Sequence, residues 1–433
     1  MQTDPGIETP QNSAMTRKKS RGKIKNFWTL LGPGLITGAS DDDPSGVATY
    51  SQAGSGFGLT TLWTALITFP LMAAVQEMCA RIGAVTCQGL TGILKTHYPK
   101  GITFLMLIFS LPAIVLNIGA DLEGMGAVAH LIVPTVPVFL FEIIFTILIL
   151  LGMIFYSYQK LSSILKWLCL VLLSYLLIPF FVKVDWSKVA RNTFIPTIRF
   201  DKDFFEILVA ILGTTISPYL FFWQTTMEAE DIINAKKNVV VDKTFLGKMQ
   251  IDVFSGMFFS NLVMFFIILT TGVVLYDAGI RKIETVEQAA KALEPLAGHV
   301  SYFLFAAGII GTGFLAIPVL GGSLSYIVAE TFSWREGLQK KFNQAPAFYF
   351  TIILSLLAGL SLDFLNVNPI RALLYTAILY GLTAPVLIAI ILHISNNKKI
   401  MGEACNSKWS NFFGSMALVL MTVAAAAVVW LQF

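Results

Sequence analysis

Apolar runs long enough to cross a bilayer, divided by short polar stretches, make up nearly all of this chain. They fall at 27–57, 60–82, 102–127, 137–157, 162–182, 205–227, 249–273, 300–328, 346–365, 370–393 and 411–432. A spanning helix needs about 20 apolar residues, so the pattern predicts about eleven transmembrane helices and no sizeable soluble domain. Two runs are abnormal. The first is apolar from Trp28 to Thr37, then reads Gly38-Ala39-Ser40-Asp41-Asp42-Asp43-Pro44-Ser45-Gly46 before Val47 resumes it. The sixth is apolar from Phe205 to Leu212, then reads Gly213-Thr214-Thr215-Ile216-Ser217-Pro218-Tyr219 before Leu220. Each half is too short to cross alone, and proline removes a backbone donor while clashing with the preceding turn, so both helices should break near the middle. Ordinary kinks at Pro44 and Pro218 are the plainer alternative. Interruptions at the first and sixth positions instead suggest two five-helix halves of opposite topology, with a substrate held between the breaks. The expected fold is therefore an all-α polytopic membrane protein with a 5+5 inverted repeat. The expected organisation is a disordered tail over 1–26 and one transmembrane domain over 27–433. Within that domain, 27–182 forms the first repeat, 205–393 the second, and 411–432 an additional helix.

Composition agrees. Of 433 residues 55% are hydrophobic and 13% charged, with a mean hydropathy of +0.72, whereas a soluble domain carries about a quarter charged residues. The net charge of +4 comes from Lys and Arg spread over loops, which gives no reason to expect nucleic acid. Their distribution sets orientation: the tail (Arg17, Lys18, Lys19, Arg21, Lys23, Lys25) and the even-to-odd loops hold most of them. The positive-inside rule then puts the N-terminus in the cytoplasm and the C-terminus outside, in a cell membrane, with the bacterial inner membrane as the expected setting. Lys183, Lys188, Arg191, Arg199 and Lys202 form the one discordant loop, alternating with Asp185, Asp201 and Asp203. Cys79, Cys87, Cys169 and Cys405 show neither a disulfide framework nor metal-ligand spacing. No short apolar region precedes a cleavage site, so no signal peptide is expected.

Asp41, Asp42 and Asp43 are the strongest chemical signal. A carboxylate at the centre of a membrane helix costs about 2.5–3.5 kcal/mol on insertion scales, so three must face protein, water or a cation, unless the run is really a short span ending in a solvated acidic loop. A break also bares carbonyls at the end of each first half-helix, where the dipole is negative and attracts cations. Asp43 beside those carbonyls, with Thr214 and Ser217 lining the second break, would form a hard, oxygen-rich pocket suited to Mg²⁺, Ca²⁺ or Mn²⁺. His97, His130, His299 and His393 lie in loops or near span ends, which argues against an imidazole site at mid-membrane. Asp121 and Glu123, two apart in span three, cannot share a helix face; Asp121 is the better candidate to line a vestibule, with structural hydrogen bonding an equal alternative. Glu77 and Arg81 should pair at i, i+4, and Glu142 is placed to reach the membrane surface. No Ser/His pair or metal-ligand cluster suggests an enzyme or a resident cofactor.

These residues resemble the NRAMP family of divalent-metal transporters over nearly the whole chain after residue 26. The matching stretches are Gly32-Pro33-Gly34 leading to Asp43-Pro44, Gln76-Glu77-Met78-Cys79-Ala80-Arg81-Ile82-Gly83, Ala120-Asp121-Leu122-Glu123, and Asn397-Lys398-Lys399-Ile400-Met401-Gly402. The resemblance implies a LeuT-like fold. It also exposes departures. Family members that carry manganese and iron read Asp-Pro-Gly-Asn in span one and Ala-x-x-Met-Pro-His in span six. Here Gly46 stands for the Asn, Ser217 for the Met and Tyr219 for the His. Losing a soft sulfur removes preference for transition metals, and losing the Asn side chain is expected to enlarge the pocket. Gly124 stands where a second span-three carboxylate is expected. The pattern is similar to the NRAMP-related magnesium transporter branch.

The sequence therefore predicts a monomeric secondary carrier for Mg²⁺, with Mn²⁺ as a further cargo, working by alternating access without proton coupling. Its metal site would comprise Asp43, Gly46, Thr214 and Ser217, with Asp41, Asp42, Asp121 and Tyr219 in a vestibule. The alternatives are a proton-coupled Mn²⁺/Fe²⁺ transporter, and an amino-acid or amine transporter of the same fold.

Overall fold

The computed structural model describes residues 32–156, 174–234, 240–298, 301–365 and 368–432. The tail 1–26 and residues 162–173 of the fifth apolar run lie outside them.

The two expected breaks are present. The first run forms α1 (Pro33–Asp41) and α2 (Pro44–Phe57). The sixth forms α8 (Lys202–Thr215) and α9 (Pro218–Ile233), counting the intervening helices α3 (Trp63–Thr86), α4 (Leu90–His97), α5 (Lys100–Ile132), α6 (Val138–Phe155) and α7 (Trp186–Phe194). There follow α10 (Lys243–Val274), α11 (Val286–Ala290), α12 (Ser301–Phe332), α13 (Pro346–Leu360), α14 (Pro369–Asn396) and α15 (Lys408–Gln432). Among the described residues, eight helical segments are long and apolar enough to span a membrane, with α8 and α9 together counted as one. The broken α1–α2 pair and the shorter α13 extend the set.

Proline alone does not decide where a helix stops. Pro70, Pro112, Pro318 and Pro385 sit inside continuous helices, whereas Pro44 and Pro218 each open a new one. The difference lies in the preceding residues. Asp43 and Ser217 take extended backbone angles (ψ of 171° and 122°), as a residue before proline prefers, and Asp43 accepts from the Gly46 N–H as an N-cap. An extended residue followed by a first-turn proline starts a helix rather than bending one, and only at Asp43 does a side-chain cap add to it.

The leading half-helices are seated by glycine. A Cβ on Gly38 would lie 2.3 Å from the Gly256 carbonyl oxygen of α10, and one on Gly213 would lie 2.0 Å from the Ala377 carbonyl oxygen of α14. Backbones this close gain dispersion contact where lipid offers no hydrophobic drive. Asp252 of α10 also accepts from the Gly32 and Gly34 N–H groups (2.8 and 2.7 Å), capping α1. Arg81 pairs with Glu77 at 2.6 Å, and also donates to the Cys405 carbonyl and Asn406, tying α3 to the loop before α15. Glu142 departs from expectation: it does not reach the surface but is buried, its stem against Gly126.

Gly38→Ala is expected to push α1 off α10 and cost about 1–3 kcal/mol, read as a lower melting temperature in detergent. Gly101→Ala, where nothing lies within 4 Å, should leave it unchanged.

Candidate metal site

Asp43 sits in the gap between α1 and α2, only 2% exposed. One carboxylate oxygen, Oδ1, accepts from the Gly46 N–H at 2.7 Å and the other, Oδ2, from Asn117 Nδ2 of α5 at 3.0 Å. Each oxygen keeps a lone pair, so the group is fixed in place and still free to ligate.

The second break faces the first. At Gly46 a Cβ would lie 3.3 Å from both the Asp41 carbonyl oxygen and Thr214 Oγ1, so the end of α1, the start of α2 and the end of α8 converge there. The missing Asn side chain therefore leaves no enlarged space at this spot, because backbone and hydroxyl have closed on the glycine. Gly46 can serve the site through its N–H on Asp43 but not through a side chain. Ser217 turns back on its own helix end, donating to the Thr214 carbonyl at 2.5 Å; its oxygen retains acceptor capacity. Tyr219 is nearer the centre than a vestibule position suggests: its hydroxyl donates to the Ser40 carbonyl at 3.0 Å, across the two breaks. Tyr50 and Thr215 hydroxyls meet at 3.2 Å and tie α2 to α8.

Asp41 and Asp42 point to α10, where Ser260 donates to Asp41 Oδ2 at 2.7 Å and lies 3.4 Å from Asp42 Oδ1. The acidic triplet is therefore not a solvated loop. Asp121 lies close to Asp43 and to the Ser45 N–H, yet neither of its oxygens completes a hydrogen bond. Glu123 is on a different face, partly exposed, on an apolar crevice with Leu116, Leu379 and Tyr375. The histidines do not enter: His130 bonds the Val136 carbonyl, His393 the Tyr98 hydroxyl and His97 the Ile93 carbonyl, while His299 lies outside the described residues.

Asp41, Asp42, Asp43 and Asp121 are 0, 5, 2 and 0% exposed. Among the described residues the only buried cationic side chain is Arg81, and Glu77 holds it. Buried ionised groups need a partner, so this negative charge calls for a cation or protons from outside the chain. No three His, Cys, Asp or Glu side chains among the described residues are gathered as a metal cage. One fixed carboxylate among hydroxyls and carbonyls suits an ion that keeps its waters and leaves again. Asn117 and Ser260 were missed in the sequence. Asn117 could have been found, being i, i+4 to Asp121 on the same face; Ser260 carries no such signal.

Residues 34–431 match the family model described as natural resistance-associated macrophage protein-like (Nramp). The chain is 26% identical over 396 residues to the divalent metal cation transporter MntH of Caldanaerobacter subterraneus subsp. tengcongensis, spanning 90% of each chain. Against the Bacillus subtilis protein of the same name it is 23% identical over 427 residues, 97% of each. A mutant of the Eremococcus coleocola manganese transporter superposes with a TM-score of 0.74 at 16% identity, over 96% of this chain and 88% of that one. Mhp1, a nucleobase-cation-symport-1 family transporter solved in a closed conformation with bromovinylhydantoin bound, gives 0.52 at 13% identity, over 93% and 92%. At such identities the likeness to solved structures is one of fold, and it agrees with the LeuT-like architecture.

Asp43→Ala should abolish cation binding and uptake while leaving the protein monodisperse. Asn117→Ala, which frees Asp43 Oδ2, should weaken both by about tenfold, as loss of a ligand-orienting partner does. Calorimetry and liposome uptake check both.

Proposed function

The chain belongs to the Nramp family, and from that premise we propose that it carries a hard divalent cation, Mg²⁺ first and Mn²⁺ second, into the cytoplasm by alternating access. The observation that carries this reading is the set of four buried carboxylates around two facing helix breaks, unanswered by any buried cation among the described residues except the already paired Arg81. The oxygens gathered at the two breaks beside Asp43 are hydroxyls and backbone carbonyls, with Ser217 and Tyr219 at the positions where the resemblance expects a thioether and an imidazole. Hard oxygen donors favour Mg²⁺ or Mn²⁺ over softer metals. Asp43 would take the ion or its waters, with Thr214 and Ser217 orienting the hydration shell and Asp41 and Asp42 lining the approach. The orientation that fits import has the N-terminus in the cytoplasm.

Transport without proton coupling is supported at Gly124, where a Cβ would meet Leu373 Cδ1 at 3.3 Å and Pro44 Cβ at 3.7 Å. Apolar groups occupy the place of the second carboxylate. Asp121 favours the competing reading, a proton-coupled Mn²⁺/Fe²⁺ transporter, because a buried carboxylate with neither oxygen hydrogen-bonded can carry a proton. An amino-acid carrier fits less well, since Asp43 already caps the α2 N-terminus that a substrate carboxylate would use.

In proteoliposomes, Mg²⁺ entry should leave the internal pH unchanged, and Cd²⁺ should compete weakly. Ser217→Met should strengthen Cd²⁺ competition by adding a soft ligand. Internal acidification tracking metal entry would replace this reading with the proton-coupled one.

A further inference from the structure

The loop at 183–202, discordant in charge, is folded. Its helix α7 packs through buried Val189, against α3 and the turn at Gly58–Thr61. Asp185 caps it, accepting from the Ser187 and Lys188 N–H groups at 3.1 Å each. On α7 the residues Trp186, Ala190 and Phe194 recur at i, i+4 and i+8 and form one exposed stripe, with Arg191 on the face next to it and exposed Lys188 one step further round the helix. Trp186 is 50% exposed and Phe194 71%, and Phe200 in the irregular segment that follows is 88% exposed. Large aromatic groups left uncovered beside basic ones are the pattern of a helix lying in a membrane interface, with rings at the acyl boundary and cations at phosphate depth.

Lys183, Lys188, Arg191, Arg199 and Lys202 outnumber Asp185, Asp201 and Asp203, so the loop is net positive. Asp185 and Asp201 spend a carboxylate oxygen on capping α7 and α8, and the Lys188–Asp185 pair at 3.7 Å is exposed, where ion pairs are worth little. Lys183 and Arg191 are exposed and form no ion pair among the described residues.

We infer that α7 and its flanks are a docking surface for anionic phospholipid headgroups of the adjoining leaflet, recognised by Lys183, Lys188 and Arg191 with Trp186 and Phe194 inserted beside them. The surface connects to the transport machinery. Arg199 stacks over Phe57, the last residue of α2, at 5.7 Å, and Phe57 meets Phe204 at the start of α8 edge-to-face at 5.3 Å. Lipid bound on α7 would bear on this end of α2 through the Gly58–Thr61 turn against which α7 packs, and on α8 through the Phe57–Phe204 contact.

The test uses the full chain in liposomes containing brominated phosphatidylglycerol or brominated phosphatidylcholine. The part of the tryptophan emission that Trp186→Phe removes should be quenched preferentially by the anionic lipid. Each basic residue near a charged surface is worth about fivefold, so Lys188→Gln with Arg191→Gln should reduce that preference by about 30-fold. Raising unbrominated phosphatidylglycerol should also speed cation uptake in the wild type and not in the double variant. Equal quenching by the two lipids, or a preference that survives the double variant, overturns the docking surface. That readout does not depend on which cation is carried. Uptake insensitive to phosphatidylglycerol despite preferential quenching overturns the link to the broken helices.

Discussion

A backbone inside a bilayer must find every hydrogen bond within protein, and the two helix breaks are where this chain departs most from that requirement. The structure meets it locally. Asp43 satisfies the Gly46 N–H, Ser217 the Thr214 carbonyl and Tyr219 the Ser40 carbonyl. Asp252 does the same for the start of α1. The groups that complete the broken backbone are thus the groups that make the pocket polar.

Close packing explains how half-helices too short to span alone stay at depth. Gly38 on Gly256 and Gly213 on Ala377 bring α1 and α8 to backbone contact with α10 and α14, so each half-helix is held by a full-length neighbour. The same neighbour α10 supplies Ser260 to Asp41 and Asp252 to the α1 cap. Movement of α1 in a transport cycle would therefore disturb the acidic triplet as well as the packing.

Much of this was legible in the residues. Asp41-Asp42-Asp43-Pro44 and Ser217-Pro218 sit at equivalent places in two long apolar runs, and polar groups with proline at matching depth favour a break over an ordinary kink. Helix periodicity places Asp121 and Glu123 on different faces, and the structure buries Asp121 near Asp43 while leaving Glu123 partly exposed. The reading was less good where the answer depends on what lies across the gap. Gly46 looked like added space and is instead covered by the Asp41 carbonyl and Thr214. Glu142 looked close enough to an end to surface and is buried. Tyr219 looked peripheral and bridges the breaks.

By itself, then, the sequence determined the number and length of the apolar segments, the position of both breaks and the hard chemistry of the groups in them, because hydropathy, proline geometry and side-chain type are local properties. Only the tertiary structure decided which partners those groups face: Asn117 on Asp43, Ser260 on Asp41, Leu373 on Gly124, Arg199 on Phe57. The first three come from other helices, 74 to 249 residues away in the chain, and Arg199 from the segment between α7 and α8, separations over which no spacing rule in the sequence operates.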